Sequence, residues 1–212
     1  MGRKEEIIYA TLELASQRGL KAISMSQIAE KVGIKAPSLY NHFKSKDEIL
    51  KAMYGFLREA AQKNRSYGFP DTGDMASKRL EQILMESLLA YLEIISDRNM
   101  LLFFRVLYSV RSIDPLAAEI VLEETDHMIQ STKRLFYALA VHGKMKTEGI
   151  DTAATAFALT VHSLIDYRMD KITAGLTDQF GDNGSPCPEA LADFVKWFSL
   201  QVGGDRHEQK TH

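Results

Sequence analysis

Apolar positions recur along this chain at helical spacing and nowhere settle into the alternation that marks a strand. From Arg3 to Arg18, Ile8, Leu12 and Ala15 stand at i, i+4 and i+7, with Ile7 and Leu14 widening the stripe; Gly19 follows as a stop. Ser24 precedes Gln27 by three residues, the spacing of a capping box. Ile28, Ala29 and Val32 then give a short second helix one apolar face, ended by Gly33. A third helix opens near Ala36 with Pro37 in its first turn, where a missing N–H costs nothing, and turns Leu39 and Phe43 inward. Ser45 is placed to cap a fourth helix, expected to reach about Arg65, whose Asp47 and Glu48 complement the helix dipole.

The turn-rich stretch from Ser66 to Gly73 reads as a connection. Beyond it the pattern predicts helices over about 75–97, 100–112, 115–142 (continuous or broken), 152–174 and 187–203. Pro115, Gly143, Gly149 and the stretch Gly181–Pro188 separate them, and Gly203-Gly204 leads into a polar tail, 205–212, expected to be disordered. There are no internal repeats. The fold class is all-α, with an N-terminal three-helix domain containing a helix-turn-helix, residues 1–47, followed by a larger helical domain, residues 48–212.

Charge divides the chain in the same sense. Residues 1–65 carry 12 Lys and Arg against 7 Asp and Glu, a net +5, whereas residues 66–212 carry 14 against 21, a net −7. A basic end on an acidic body points to a polyanion partner for the first module only. With 45% hydrophobic residues the chain can bury a sizeable core, and its apolar runs break before the roughly 20 residues of a membrane span. No basic start is followed by an apolar stretch and a small-residue cleavage site, so no membrane partner and a cytoplasmic location are expected. The single Cys187 excludes an internal disulfide; between Pro186 and Pro188 in a loop, it reads as an available thiol without a chemical role. No metal-ligand spacing, phosphate loop or nucleophile motif is present, so neither an enzyme nor a cofactor is expected.

A helix-turn-helix reads DNA by laying its second helix in the major groove while groups around it grip phosphates. Small residues at the entry of the third helix let its backbone approach base edges, and Tyr40 and His42 can reach flanking phosphates, as can Lys44 and Lys46 at its exit. Tyr40 is alternatively a core aromatic, and His42 a helix-end residue without a DNA role. The run from Gly33 to Leu50, with L-Y-x-H-F and then K-S-K, preceded by Ser24 and Ile28-Ala29, closely resembles the DNA-binding domain of the TetR/AcrR family of transcriptional regulators. The match extends over residues 4–50. It implies that Ser24 caps the second helix and can meet a phosphate, that Ser26 touches DNA, and that Ala36 and Pro37 meet thymine methyl groups. It also implies phosphate contacts from Ser38, Tyr40, His42 and Lys46, a base edge for Asn41, and a base or phosphate for Lys35.

For the body the resemblance implies architecture, not residues: a homodimer joined by the last two helices, and a small-molecule pocket in each subunit. Segments 152–174 and 187–203 are apolar enough to need a partner. The candidate pocket residues are Tyr91, Phe103, Phe104, Tyr108, Met128, Phe157, His162 and Asp166, with Met100, Leu107, Phe136, Val161 and Tyr167 beside them. Met and aromatic residues at this spacing equally describe an ordinary core. His162 and Asp166, at i and i+4, form either a polar pair near the dimer interface, a polar anchor for ligand, or a metal or catalytic pair. The expected function is a homodimeric repressor released from a palindromic double-stranded operator by a largely apolar or aromatic effector. The alternatives are a ligand-independent architectural or adaptor protein, and an activator.

Overall fold

The computed structural model describes residues 2–63, 75, 77–182 and 184–204. The 66–73 connection and the 205–212 tail lie outside them. Among the described residues the structure has nine bounded α-helices: α1 Arg3–Arg18, α2 Met25–Val32, α3 Ala36–His42, α4 Lys46–Lys63, α5 Leu80–Ile95, α6 Arg98–Tyr108, α7 Pro115–Val141, α8 Ile150–Thr173 and α9 Glu189–Val202. A single 3₁₀ turn, Leu20–Ala22, links α1 to α2.

Local hydrogen bonds explain where the helices depart from their expected bounds. α6 opens at Arg98, earlier than expected, because the Asp97 carboxylate accepts from the Asn99 and Met100 amides at 2.9 and 3.1 Å. α5 opens only at Leu80: the chain leaves helical geometry at Lys78 and Arg79, and the Arg79 amide donates to Gln82 Oε1 at 2.9 Å. α7 runs unbroken to Val141. Its Pro115 occupies the first helical position, and Asp114 accepts from the Leu116 and Ala117 amides.

The helices form two compact units built from interleaved stretches of chain. The first combines Met1–Ser66 with Glu93–Glu124. Its core runs from Ile7, Ile8 and Leu12 of α1 through Ile28, Leu39, Ile49 and Met53 to Phe103 and Leu107 of α6 and Ile120 of α7. Each such side chain contributes on the order of 1.5–3 kcal/mol by leaving water. Tyr54 of α4 lies in this core, stacks on Phe103 at a centroid distance of 6.2 Å, and donates its hydroxyl to the buried Glu124 carboxylate at 3.1 Å.

The second unit combines Tyr67–Leu92 with Thr125–His212. Phe136, Phe157, Phe194 and Phe198 of α7, α8 and α9 form an aromatic cluster, the Phe157 and Phe198 rings being 5.0 Å apart. The buried Arg168 of α8 holds the loop before α9, donating to the Gln179 carbonyl, the Gly181 carbonyl and Asp182 Oδ1 at 3.1, 2.7 and 2.8 Å. Asp182 Oδ2 in turn accepts the Glu189 amide at the start of α9. Cys187 falls on this pinned loop and is 5% exposed, so it is a buried side chain and not an available thiol. Burial raises its pKa. No helix among the described residues is long and apolar enough to cross a membrane.

Candidate nucleic-acid interface

Two local devices shape the turn between α2 and α3. At the start of α2 the Gln27 amide donates to Ser24 Oγ at 3.3 Å while the Ser24 amide donates to Gln27 Oε1 at 2.8 Å, a reciprocal capping box. At its end Gly33 adopts φ 75° and ψ 31°, the left-handed conformation. The Gly33 amide then reaches the Glu30 carbonyl at 3.0 Å and the Ile34 amide the Ala29 carbonyl at 2.9 Å, which is the Schellman pattern. The chain turns sharply there, and Lys35 starts α3 in extended geometry.

α3 is held from one side. Leu39 is fully buried and Phe43, at the end of the helix, nearly so. At about 100° per residue, Pro37 and Asn41 stand about 160° round the helix from Leu39, while Ser38 and Tyr40 stand about 100° from it on opposite flanks. Exposure agrees: Pro37, Ser38, Tyr40 and Asn41 are exposed, Tyr40 to 45%, and Ala36 and His42 are half-buried. The helix therefore offers an outward ridge of Pro37 and Asn41 between two polar flanks. Tyr40 belongs to the surface, unlike Phe43.

The remaining expected residues divide between exposed groups and groups engaged inside the module. Ser24, Ser26 and Lys35 are exposed. The Ser24 hydroxyl serves the capping box. Lys44 turns its ammonium onto the Tyr40 carbonyl at 2.8 Å, satisfying the C-terminal end of α3. Lys46 is half-buried and donates to the carbonyls of Leu20 and Ile23 at 3.0 and 2.7 Å. Sequence reasoning missed Lys4, whose ammonium stands 5.6 Å from the Phe43 ring centroid and brings a cation to the exit of α3. No local spacing signals that approach, because it joins residues 39 positions apart through tertiary packing.

The candidate pocket residues fall into both compact units. In the first, Phe103 is fully buried, Phe104 packs on it at 5.6 Å, and the half-buried Tyr108 lies 5.9 Å from Phe104 with the Arg111 guanidinium 4.3 Å from its centroid. Met100 and Leu107 are buried in the same core. In the second, Tyr91 is half-buried, Met128 is buried, and Phe157 belongs to the aromatic cluster with Phe136. His162 Nε2 and Asp166 Oδ2 lie 3.6 Å apart on α8, both side chains partly shielded from water; Val161 beside them is buried and Tyr167 is exposed.

A compact three-helix module that presents one outward ridge on a helix following a left-handed turn is a helix-turn-helix DNA-binding module. Residues 7–53 match the bacterial regulatory proteins of the tetR family, and residues 82–174 match the AefR-like transcriptional repressor C-terminal domain. Together these segments cover well over half of the chain, which belongs to the TetR family of DNA-binding transcriptional regulators, proteins that are not enzymes.

Among individual proteins, the chain is 30% identical over 94 residues to the nucleoid occlusion factor SlmA of Vibrio cholerae, covering 44% of this chain and 47% of that one. It is 32% identical over 71 residues to the class D tetracycline repressor protein of Escherichia coli, covering 34% and 31%. The chain thus matches less than half the length of these relatives. The fold is similar to that of the flavonoid-responsive regulator FrrA, with a TM-score of 0.68 and 21% identity over 96% of this chain and 98% of that one.

Proposed function

We propose that this chain is a homodimeric, ligand-responsive repressor that reads a palindromic operator through α3. The observation that carries the proposal is the α3 ridge: Pro37 and Asn41 face outward for base edges, with Ser38, Tyr40 and His42 placed for phosphates on either side. Ala36 and Pro37 supply apolar contact for thymine methyl groups, and Ser24, Ser26 and Lys35 supply contacts at the edge of the same surface. The reading module is residues 1–47 and the effector-binding and dimerising body residues 48–212.

Dimerisation is supported by the solvent-facing sides of α8 and α9. Ala156, Leu159, Ser163 and Tyr167 make one stripe at helical spacing, and Trp197 and Leu200, in line with Ala190 and the charged Asp193, make another. Trp197 is 57% and Leu200 69% exposed in the isolated chain, an arrangement that a second copy relieves. A two-fold dimer also supplies what one module lacks, two recognition helices about 34–36 Å apart in successive major grooves. The effector is a largely apolar or aromatic molecule held among the aromatic residues of the body. It must bind the released state more tightly than the operator-bound one.

The test is footprinting on genomic DNA followed by gel-shift titration across a panel of aromatic and apolar compounds. Protection of a palindrome, lost on adding one compound, is the expected result. Binding with no symmetry, or to no DNA, refutes operator reading; an operator complex that no compound weakens refutes induction.

A further inference from the structure

Lys46 lies where the family resemblance implies a phosphate contact, yet its ammonium points into the protein. Two of its three N–H donors are spent on the Leu20 and Ile23 carbonyls, at 3.0 and 2.7 Å. Bonds of this length from a charged donor are the stronger kind. The acceptors are well chosen: Leu20 opens the 3₁₀ turn after α1, and Ile23 immediately precedes Ser24, the cap of α2. Lys46 itself is the first residue of α4.

The bonds therefore close a loop of chain. Residues 24–45, comprising α2, the Gly33 turn, α3 and its exit, are tied at one end by the backbone at Ile23 and at the other by the side chain of Lys46. Inside that loop every joint is also braced. Ser24 and Gln27 fix the start of α2, the Schellman bonds fix the turn, Lys44 holds the end of α3, and Ser45 Oγ accepts the Glu48 amide at 3.1 Å. Leu39 and Phe43 bind the loop to the core.

We propose that Lys46 is a positioning residue, not a phosphate contact: it clamps the start of α4 to the turn that feeds α2, so that α4 and the recognition helix move as one body. On the reading of α3 as the operator-binding helix, this makes any tilt of α4 a tilt of α3 and stops the α2–α3 pair from lagging behind. A phosphate contact would add to affinity through counterion release; a clamp adds by holding the reading surface in shape.

The two roles separate in one experiment. The full chain, Lys46→Met, which keeps the stem and removes every donor, and Lys46→Arg, which keeps charge and donors, are titrated against a duplex selected from a random pool, across a range of KCl concentrations. Measurements are made well below each protein's melting midpoint, with amide exchange followed at residues 20–24. For Lys46→Met the expected result is an affinity loss of about tenfold on the selected duplex and a smaller one on an unrelated duplex, with the salt slope of the wild type and faster exchange at residues 20–24. Lys46→Arg restores most of the affinity. A salt slope shallower by about 0.9, with exchange unchanged, overturns the proposal in favour of a phosphate contact. A lower melting temperature with wild-type affinity overturns it in favour of a purely structural role. If the wild-type protein selects no duplex, it is the reading of α3 that fails, and the exchange data still report whether the clamp exists.

Discussion

Replacing Gly33 with alanine isolates the backbone term that shapes the α2–α3 turn. Gly33 sits at φ 75° and ψ 31°, and a Cβ added there meets nothing within 4 Å. Collision therefore contributes nothing, and what remains is the intrinsic cost of the left-handed conformation to an L residue, about 1–2 kcal/mol. The substitution also stiffens the unfolded chain, which offsets about 0.4–1 kcal/mol of that cost. The net loss is about 1 kcal/mol, roughly a fivefold fall in the folded-to-unfolded ratio. Asparagine tolerates this conformation better, so Gly33→Asn should lose about half as much. The assay is urea unfolding followed by far-ultraviolet circular dichroism, with operator affinity measured in parallel below the transition. The reasoning fails if alanine is neutral, or if both variants lose several kcal/mol alike, since equal large losses require a steric clash that the open space excludes.

Asn41→Ala is expected to change preference among operator variants, and Tyr40→Phe to weaken all of them equally; uniform losses for Asn41→Ala in a binding competition would deny it a base contact. Leu200→Glu should place a charge in the proposed dimer interface and raise the dimer dissociation constant at least tenfold by sedimentation. Wild-type Trp197, the single tryptophan, should show a red-shifted emission on dilution through the same transition, and concentration-independent emission and mass would argue against this interface. The Asp182 carboxyl is held below its ordinary pKa, first by the Glu189 amide and then by Arg168. Its contribution is therefore present above the unfolded carboxyl value and lost as pH falls through the depressed folded one, so Asp182→Asn should flatten the acid limb of a stability profile. Cys187 has the opposite sign: burial raises its pKa, its contribution is full below the unfolded thiol value, and it is lost as pH rises through the folded one. Thiol titration with an aromatic disulfide should find it slow in the folded protein, and Cys187→Ala should soften the alkaline fall.

The parts of this protein legible in its sequence are those whose energetics close within one or two helical turns. The capping box at Ser24 and Gln27, the stop at Gly33, Pro37 in the first turn of α3 and the Leu39–Phe43 anchor each involve residues at most five apart, where helix geometry dictates which groups meet. The family motif lies in the same stretch, and the residues it singles out on α3, Pro37, Ser38, Tyr40 and Asn41, are exposed.

Tertiary structure decided the rest, because it depends on which distant surfaces exclude water together. Local pattern placed Lys46 on the module's surface; packing brought the Leu20 and Ile23 carbonyls, 26 and 23 residues away, within reach of its ammonium and turned it inward. Packing likewise set Lys4 over Phe43, interleaved Glu93–Glu124 with the N-terminal helices, and buried Cys187 on a loop held by Arg168. The sequence by itself determined the helices and the outward ridge of α3; the fold decided which polar groups on that module are already engaged, since two backbone carbonyls brought within 3.0 Å by packing hold the Lys46 ammonium.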